Sequence, residues 1–388
     1  MTLPSKSIIL MVQSANKRLA DRDTPFIFNE WYVAGFTDEI GRSLLQRRLL
    51  GARIVMYRTL EGTPVALEDR CAHRSYPLSA GELDGDNIVC GYHGFRYDTQ
   101  GDCIEVPSAA KCPKNIGVRR YPLVERGPVV WIWMGEPDRA DAASIPDLPW
   151  MESTDWTTGK GYYDLKSSYV CLHENLVDTS HLSFIHSKTI GSPDYVRAPT
   201  RTETGAGTFA LIRTMESTKL PPVWGKPTGL DGIDSATRIV RNEHLSPALY
   251  EVTTRLFDGA LPQNARPEFL IKAAHFPTPC SAAETHYFIV LGRNFAHDDQ
   301  TVSAFMAKGF FKAFEEDVIA LNLLESRLNE FDEPPYEISV PSDALGVAMR
   351  RHLKQRAEDE ASTAAAAQGE ACAGAGAGSV PVKFDRAI

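Results

Sequence analysis

The pattern of hydrophobic and polar residues changes along the chain, and its first third is typical of short strands. Runs such as ARIVMYR and PVALE are rich in branched and aromatic residues, and glycine-bearing turns such as EGT separate them. Turns that recur about every 8 to 12 residues are typical of a small β-sandwich or barrel. The pattern therefore predicts an all-β domain over residues 28–135, preceded by an N-terminal arm at residues 1–27.

Residues 151–357 combine strand patterns with helical ones. Strand candidates such as ALYEVTTRLF and THYFIVLGRNF precede a long segment, Thr301 to Leu328, whose apolar positions recur with helical spacing. We expect an antiparallel sheet covered by helices, so the fold class is α+β with a helix-grip-like second domain. Residues 136–150, rich in proline, aspartate and alanine, are predicted to form a linker. The alanine- and glycine-rich tail at residues 358–388 is predicted to be disordered.

The composition limits the classes of function. The chain has 388 residues, 43% of them hydrophobic and 23% charged, which is typical of a globular protein. Its formal net charge is −9 and it has no basic block, so neither nucleic acid nor an anionic membrane is an expected partner. No stretch reaches the ~18 apolar residues that cross a bilayer, so we expect a cytoplasmic location. The seven cysteines are then expected to be free thiols or metal ligands.

Two short motifs in the predicted β domain each pair a cysteine with a histidine. CAHR contains Cys71 and His73, and CGYHG contains Cys90 and His93. Four such side chains can form a tetrahedral structural zinc site. They can also bind a Rieske [2Fe–2S] cluster, in which two cysteines hold one iron and two histidines hold the other. Zinc fingers place their histidine pair on a helix, whereas both motifs lie among predicted strands, which favours the cluster.

The stretch ENLVDTSHLSFIH, residues 174–186, concentrates polar side chains among apolar ones. On a helix, Asn175, Asp178 and His181 lie on one face. His186 lies about 140° further round, so it joins them only if the helix ends or bends. Two histidines and one carboxylate are the ligands of a non-heme Fe(II) site that keeps positions open for O2. A helix with a solvated polar face is the alternative interpretation.

The carboxylate of such a site is predicted on the long helix. Apolar residues at spacings of four and three form a stripe there: Phe310, Phe314, Leu321, Leu324 and Leu328. Asp317 lies in the middle of this stripe, whereas Glu316 and Glu315 point to other sides of the helix. A buried carboxylate is costly unless it is paired or bound to a metal, so Asp317 is the candidate ligand. A buried salt bridge with an arginine is the alternative.

Both motifs resemble those of one family, the Rieske non-heme iron oxygenases. CAHRSYPLSAGELDGDNIVCGYHGFRYDTQGDCIEVP resembles the Rieske domain of that family, and ENLVDTSHLSFIH resembles its N-x-x-D-x-x-H-x4-H iron motif. The similarity is to the branch that includes vanillate O-demethylase and dicamba monooxygenase, and more loosely to phthalate dioxygenases. It spans roughly residues 28 to 330 and is thin between about 195 and 300, where the substrate pocket is expected.

The resemblance implies a role for each residue of the motifs. It implies that the [2Fe–2S] cluster is held by Cys71, His73, Cys90 and His93. It implies that a mononuclear Fe(II) is held by His181, His186 and Asp317. Asp178 would bridge His181 and the His93 of a neighbouring subunit by hydrogen bonds. Asn175 would lie near the iron.

The function implied is that of a terminal oxygenase component. It would activate O2 to hydroxylate, O-demethylate or dihydroxylate an aromatic substrate, expected to be an aromatic acid. Electrons would come from a separate NAD(P)H-dependent reductase, with or without a ferredoxin, because no G-x-G-x-x-G fingerprint follows a strand. The resemblance also implies a homotrimer. Candidates for contact with a substrate carboxylate or sulfonate are Arg241, Asn242, His244 and Arg255.

Two functions from other classes remain alternatives to the oxygenase. A non-catalytic Rieske electron carrier would need only the N-terminal domain. A zinc-stapled binding protein would use the Cys–His motifs for structure alone and would be colourless.

Overall fold

The computed structural model describes residues 6–112, 114–331 and 335–374. The N-terminal part begins with helix α1, Lys6–Asn16, and continues in short strands. The strands are β1 Trp31–Phe36, β2 Leu45–Leu49, β3 Ala52–Arg58, β4 Pro64–Glu68, β5 Glu82–Asp84, β6 Asn87–Val89, β7 Arg96–Tyr97, β8 Cys103–Glu105, β9 Leu123–Arg126 and β10 Val129–Trp133. They form sheets in the orders β1-β10-β9, β2-β3-β4 and β5-β6-β7-β8. The predicted all-β character of residues 28–135 is confirmed, because helix α1 precedes them.

The C-terminal part is a single large sheet with helices on it. Its elements are β11 Thr157–Leu165, α2 Tyr169–Val177, β12 Thr200–Thr204, β13 Phe209–Met215, α3 Pro222–Thr228, β14 Ala236–Ser246, β15 Leu249–Asp258, β16 Phe269–Ser281, β17 Glu284–Arg293, α4 Gln300–Leu328 and α5 Ala344–Gly374. The seven strands pair antiparallel in the order β11-β17-β16-β15-β14-β13-β12. The predicted α+β class is confirmed.

The central strands of this sheet are buried on both faces. Alternate residues of β16 and β17 pack against the N-terminal sheets: Ala274, Phe276, Phe288 and Val290. The residues between them pack under the helices: Ala273, Tyr287, Ile289 and Leu291. Successive side chains of a strand point to opposite faces, so double burial produces the near-continuous apolar runs seen in the sequence.

The helices cover the face of the sheet that is turned away from the N-terminal domain. Helix α2 packs on β14 and β16, α4 packs on β11 and α3, and α5 packs on α2 and β13. The Asp299 carboxylate caps α4 by accepting from the N–H groups of Thr301 and Val302. Within the described residues, no helix is both long and apolar enough to cross a lipid bilayer.

Helix α4 begins one residue before its predicted start, but its buried stripe differs from the predicted one. Leu324 is 56% exposed, and Glu325 is buried instead. Glu325 is compensated by Arg22 of the N-terminal arm, with Nη1 to Oε1 at 2.7 Å. The predicted spacing of four and three averages 3.5 residues per turn. A straight helix has 3.6, so its buried face drifts by one position over this length.

The C-terminal helix extends beyond residue 358, the predicted start of the disordered tail. Helix α5 continues beyond residue 357, and the carboxylate of Glu360 accepts from the N–H groups of Phe28 and Asn29. The structure therefore differs from the predicted disorder over residues 358–374, because alanine supports a helix that packing has already started. The rest of the predicted tail, residues 375–388, lies outside the described residues.

The segment predicted as a linker packs closely against the first domain. Residues 136–150 form short 3₁₀ turns, and Ile145, Leu148 and Trp150 are buried among the N-terminal sheets. The boundaries drawn at residues 135 and 150 remain predictions.

The buried face of helix α5 should contribute strongly to the stability of the protein. Leu353 is fully buried in the core of the second domain. We expect Leu353→Ala to lower the free energy of unfolding by about 2–5 kcal/mol, because truncation leaves a cavity. Thermal unfolding of the purified protein measures this. Arg351→Ala, on the exposed side of the same helix, is the control and should change stability by less than about 0.5 kcal/mol. Equal effects would show that this end of the helix is not packed as described.

Candidate active site

The two Cys–His motifs form two loops of the same construction. In the first, between β4 and β5, the N–H of Cys71 donates to the carbonyl of Tyr76 (2.8 Å), and its own carbonyl accepts from Ser75 (2.9 Å). In the second, between β6 and β7, Cys90 makes the same two contacts at 2.8 and 3.0 Å with the residues five and four positions later. Both cysteines are thus held at the start of a tight loop.

The cysteines and histidines of these loops differ in exposure. Cys71 and Cys90 are each 2% exposed and belong to the hydrophobic cluster of this end of the domain. Burial raises the pKa of the Cys90 thiol, which interacts with Cys71. The rings of His73 and His93 are exposed, with centroids 4.6 Å apart. Thiols therefore face thiols inside the domain, and imidazoles face each other at its surface.

This arrangement fits a two-iron cluster better than one zinc ion. Zinc bonds of ~2.0–2.3 Å bring all four donor atoms within about 4 Å of one another. No three donor atoms of these four residues, all of them described, lie within 4.8 Å of one another. In a Rieske cluster, one iron is bound by two thiolates and the other iron by two imidazoles, which matches these separate pairs.

The stretch 174–186 is not one helix, so the prediction that Asn175, Asp178 and His181 lie on one helical face is wrong. Helix α2 ends at Val177, and a 3₁₀ turn, Thr179–Ser183, follows. The Asp178 carboxylate caps this turn by accepting from the N–H (2.9 Å) and hydroxyl (3.1 Å) of Ser180. A side chain that caps a turn competes with helix continuation, which explains the break. The break also meets the condition under which both histidines reach one site.

Three of the predicted side chains, those of His181, His186 and Asp317, converge at one point in the C-terminal domain. The Oδ1 atom of Asp317 lies 3.0 Å from Nε2 of His186 and 3.4 Å from Nε2 of His181. One donor atom from each residue lies within 4.8 Å of the others. Asp317 is 5% exposed, and its described ion-pair partners are these histidines rather than an arginine. Two imidazoles and one carboxylate on one side of a site can hold a metal and leave other positions open.

Both histidines are oriented through their second ring nitrogen. Nδ1 of His181 contacts the backbone carbonyl of Asp178 at 2.7 Å, and Nδ1 of His186 contacts Oε2 of Glu316 at 2.9 Å. With Nδ1–H donating to an oxygen, each ring presents Nε2 to the shared centre, as metal-binding histidines do. The expected bridge through the Asp178 side chain is not formed to His181, because the main-chain carbonyl makes that contact.

Glu316 is a site residue that the sequence analysis considered only as a rival ligand. Besides His186, its Oε2 accepts from the hydroxyl of Thr189 at 2.7 Å. It lies about 100° from Asp317 around α4, which suits a group that supports a ligand from the side. The signal available in the sequence was the pair of adjacent acids, but only the loop after α2 shows which histidine it meets.

Charges at the site stabilise one another. Burial acts to raise the pKa of Asp317, but the hydrogen bonds and charges of His181 and His186 hold it below its ordinary value. Burial acts to lower the pKa of His186, yet Asp317 and Glu316 raise it. Asn175 adds a hydrogen bond from Nδ2 to Oδ1 of Asp317 at 3.1 Å.

A cavity that is partly open to solvent adjoins the three converging side chains. Its walls are largely apolar and include Leu176, Leu182, Val240, Ile271, Phe310 and Phe314. A flat hydrophobic molecule can therefore lie against the Nε2 and Oδ1 atoms of the site.

Of the four predicted anion contacts, the cavity is lined by Asn242 alone. Arg241 is bound to Glu203 and Glu243, and Arg255 lies near Glu268 at 3.7 Å. His244 is buried outside the cavity, and burial holds its pKa well below the ordinary value. Residues of one strand alternate between faces, so Arg241 points away from the side that Asn242 occupies. Arg238, which the sequence analysis did not select, lines the cavity instead.

Comparison with known proteins agrees with both sites. Residues 30–122 match the Rieske [2Fe-2S] domain, and residues 165–359 match the vanillate O-demethylase oxygenase C-terminal domain. The toluene-4-sulfonate monooxygenase system iron-sulfur subunit of Comamonas testosteroni is 32% identical over 85% of this chain and 96% of that relative. The vanillate O-demethylase oxygenase subunit of a Pseudomonas species is 30% identical over 87% of this chain and 97% of that relative.

A solved structure of another protein also matches this chain over most of its length. Dicamba monooxygenase bound to 3,6-dichlorosalicylic acid superposes with a TM-score of 0.81 at 25% sequence identity. The match covers 87% of this chain and 99% of the other.

Gly191 should be essential for the loop that carries His186. Its N–H donates to the His186 carbonyl at 3.0 Å, and a Cβ atom here would lie 1.8 Å from the carbonyl oxygen of Leu182. Gly191→Ala should therefore displace His186 and weaken Co²⁺ binding at this site by roughly tenfold or more, measured by absorption titration. Gly159→Ala is the matched control, because nothing lies within 4 Å of its added Cβ. Unchanged Co²⁺ affinity in Gly191→Ala would contradict this description of the loop.

Proposed function

This chain belongs to the Rieske non-heme iron oxygenases, and we propose that it is a terminal oxygenase component that uses O2 to oxidise an aromatic substrate. The proposal rests on the convergence of His181, His186 and Asp317 beside a cavity with apolar walls. A non-catalytic Rieske electron carrier has no use for such a second site. The spacing of the Cys–His donors likewise argues against a zinc-stapled binding protein.

Each metal group has a set of residues suited to it. We propose that the [2Fe–2S] cluster is held by Cys71, His73, Cys90 and His93. We propose that the mononuclear Fe(II) is held by His181, His186 and Asp317. When bound, the cluster supplies electrons one at a time, and the Fe(II) offers O2 the positions that the protein leaves free.

The neighbouring side chains keep the iron ligands in place during turnover. Glu316 and the backbone carbonyl of Asp178 hold the two imidazoles in the orientation that presents Nε2. Asn175 donates to Oδ1 of Asp317 and so restricts rotation of that carboxylate. The overall reaction consumes O2, two electrons and two protons, and it inserts one or both oxygen atoms into the substrate.

The substrate is proposed to be an aromatic ring that carries an acidic group. A ring can pack between Phe310 and Phe314 of α4 and the apolar side chains of β14 to β16. Hydroxylation, O-demethylation and dihydroxylation are all compatible with such a pocket.

Electrons are proposed to enter from an NAD(P)H-dependent reductase, with or without a ferredoxin. The support comes from relatives that are named as one part of a larger system, such as the iron-sulfur subunit of the toluene-4-sulfonate monooxygenase system and the oxygenase component of dicamba O-demethylase.

Electron transfer to the iron is proposed to cross between subunits of a homotrimer. Within one chain, the small sheet β5–β8 that carries the cluster loops makes no extensive contact with α2 or α4 over the described ranges. Among the described residues, the Asp178 carboxylate is hydrogen-bonded to Ser180 only, and Phe184, at the other end of the same turn, is 70% exposed. A half-buried carboxylate and an exposed aromatic ring are suited to meeting His93 of a second copy.

Removal of the proposed carboxylate ligand should abolish the mononuclear iron site and leave the [2Fe–2S] cluster intact. Asp317→Ala should keep the visible spectrum of the cluster and lower the iron content from about three to about two per chain. Oxygenase turnover with a reconstituted reductase should be lost. Glu315→Ala, which removes an exposed carboxylate of the same helix, should retain all three properties. A variant that keeps both iron and turnover without Asp317 would disprove the proposed ligand set.

The crossing between subunits can be tested by complementation. Chains with His93→Ala lack the cluster, and chains with Asp317→Ala lack the mononuclear iron, so each alone should be inactive. Random co-assembly in a cyclic trimer should restore about a quarter of wild-type turnover, because that share of neighbouring pairs has both intact groups in the required order. Inactive co-expressed trimers of proven mixed composition would show that transfer occurs within one chain.

A further inference from the structure

Arg238 is a buried cation in the wall of the proposed substrate cavity. It lies in β14, opposite Met215 of β13 and Leu256 of β15, and is 2% exposed. Its side chain is on the same face of β14 as Val240 and Asn242, which also line the cavity. Burial lowers the pKa of Arg238 only to about 10, so the guanidinium is charged at neutral pH.

Arg238 forms no ion pair with a carboxylate within 4.0 Å in the parts of the chain that the structure describes. Its Nε–H is buried without an acceptor. Nη1 donates to the carbonyl of Ile190 at 2.9 Å. The carboxylate of Asp194 bonds Thr218 and acts on Arg238 only from further away. A buried cation left unpaired is unfavourable, so an incoming anion would satisfy it.

Aromatic rings fix the orientation of this guanidinium. Its central carbon lies 4.1 Å from the ring centroid of Trp224 and 5.3 Å from that of Tyr195. The indole N–H of Trp224 donates to the same Ile190 carbonyl at 2.9 Å. Cation–π contacts hold the charge without neutralising it, and a pre-oriented guanidinium loses little freedom when it binds an oxyanion.

Arg238 reaches α4 through Trp224, about two helical turns before Asp317. The ring of Trp224 packs on Phe310 of α4, with centroids 4.7 Å apart. Asp317 is seven residues further along that helix, which corresponds to ~10 Å at 1.5 Å per residue. Phe314 lies between them and lines the cavity. One substituted benzene ring fits along this distance.

We propose that Arg238 binds the oxyanion of the substrate, a carboxylate or a sulfonate, and thereby directs the substituent on the opposite side of the ring to the iron ligands. Arg238 is then a specificity-determining residue that selects para-substituted aromatic acids over ortho isomers. The inference rests on the proposed oxygenase function and goes further by assigning the anion contact and its position.

A purely structural role is the competing explanation, and Arg213 shows what that role looks like. Arg213 is also buried and also stacks on Tyr195, at 4.8 Å. It donates to two carbonyls, those of Tyr195 and Ala198, and does not line the cavity. The Nε–H of each arginine lacks an acceptor, so Arg238 differs from Arg213 by making one carbonyl contact and by facing the cavity.

Binding to the wild-type protein provides the first test. Calorimetric titration without a reductase compares toluene-4-sulfonate with the neutral toluene-4-sulfonamide, and 4-methylbenzoate distinguishes carboxylate from sulfonate recognition. At least one of the two anions should bind roughly tenfold or more tightly than the sulfonamide, because a charge-assisted hydrogen bond is gained. Equal affinities of the anions and the neutral probe would overturn the proposal.

Variants then assign the preference to one residue. Arg238→Gln should weaken anion binding by roughly ten- to a hundredfold and leave sulfonamide binding nearly unchanged, and Arg238→Lys should restore part of the loss. Arg241→Gln is the control, because it removes the same charge from the same strand on the other face. Unchanged sulfonamide binding verifies that the cavity of each variant is intact. If Arg238→Gln retains the anion preference, or if Arg241→Gln loses as much, Arg238 is not the anion site.

The position of oxidation is a readout that a structural arginine would not change. Wild-type protein with a reductase should oxidise the methyl group of 4-methylbenzoate or toluene-4-sulfonate in preference to that of the 2-methyl isomers, and Arg238→Lys should reduce this preference. If the wild type oxidises both isomers equally well, the proposed preference for para-substituted acids is wrong. Failure of the oxygenase proposal would be seen as absent turnover and absent iron. Failure of the Arg238 proposal would be seen in the calorimetric affinities, which need no turnover, so the two failures can be distinguished.

Discussion

A carboxylate buried between two imidazoles is the constraint on which the second domain depends. Asp317 can be buried in the middle of α4 only if positive or hydrogen-bonding partners replace its lost water. Those partners are His181, His186 and Asn175, which come from the end of α2 and the loop that follows. The packing of α4 onto α2 is therefore tied to the chemistry of the site, and neither helix can shift without exposing or isolating a charge.

The seven-stranded sheet determines where the cavity can be. Its central strands are pinned by the N-terminal sheets on one face and by the helices on the other, so their side chains have little freedom to move. Alternate positions of β14, at Arg238, Val240 and Asn242, then form a fixed wall facing α4. Polar groups on such a wall can discriminate between substrates because they do not adapt to the wrong one.

Spacing along the sequence was enough to identify both sets of metal-binding candidates and the helix that carries Asp317. It was not enough to identify groups that act by being brought together from distant segments. Glu316 became a partner of His186 only through the turn at Asp178, and Arg238 acquired its place through strand pairing and the position of Trp224. The four anion contacts were chosen by residue type alone. Arg241 of β14 and Arg255 of β15 point to the other face of the sheet, and His244 shares the face of Asn242 but lies beyond the cavity, so three of the four lie outside it.

With iron bound as proposed, the guanidinium of Arg238 is the uncompensated charge in the wall of the cavity. Asp317 and Glu316 carry two negative charges beside the histidines, and these offset the two positive charges of Fe(II). Arg238 places its positive charge near Trp224. Apolar walls have a low dielectric constant, so the attraction of an anion to Arg238 is weakly screened. In the proposed binding mode, an aromatic acid is therefore held by its charged end at Arg238, and the opposite edge of its ring is turned towards the iron ligands.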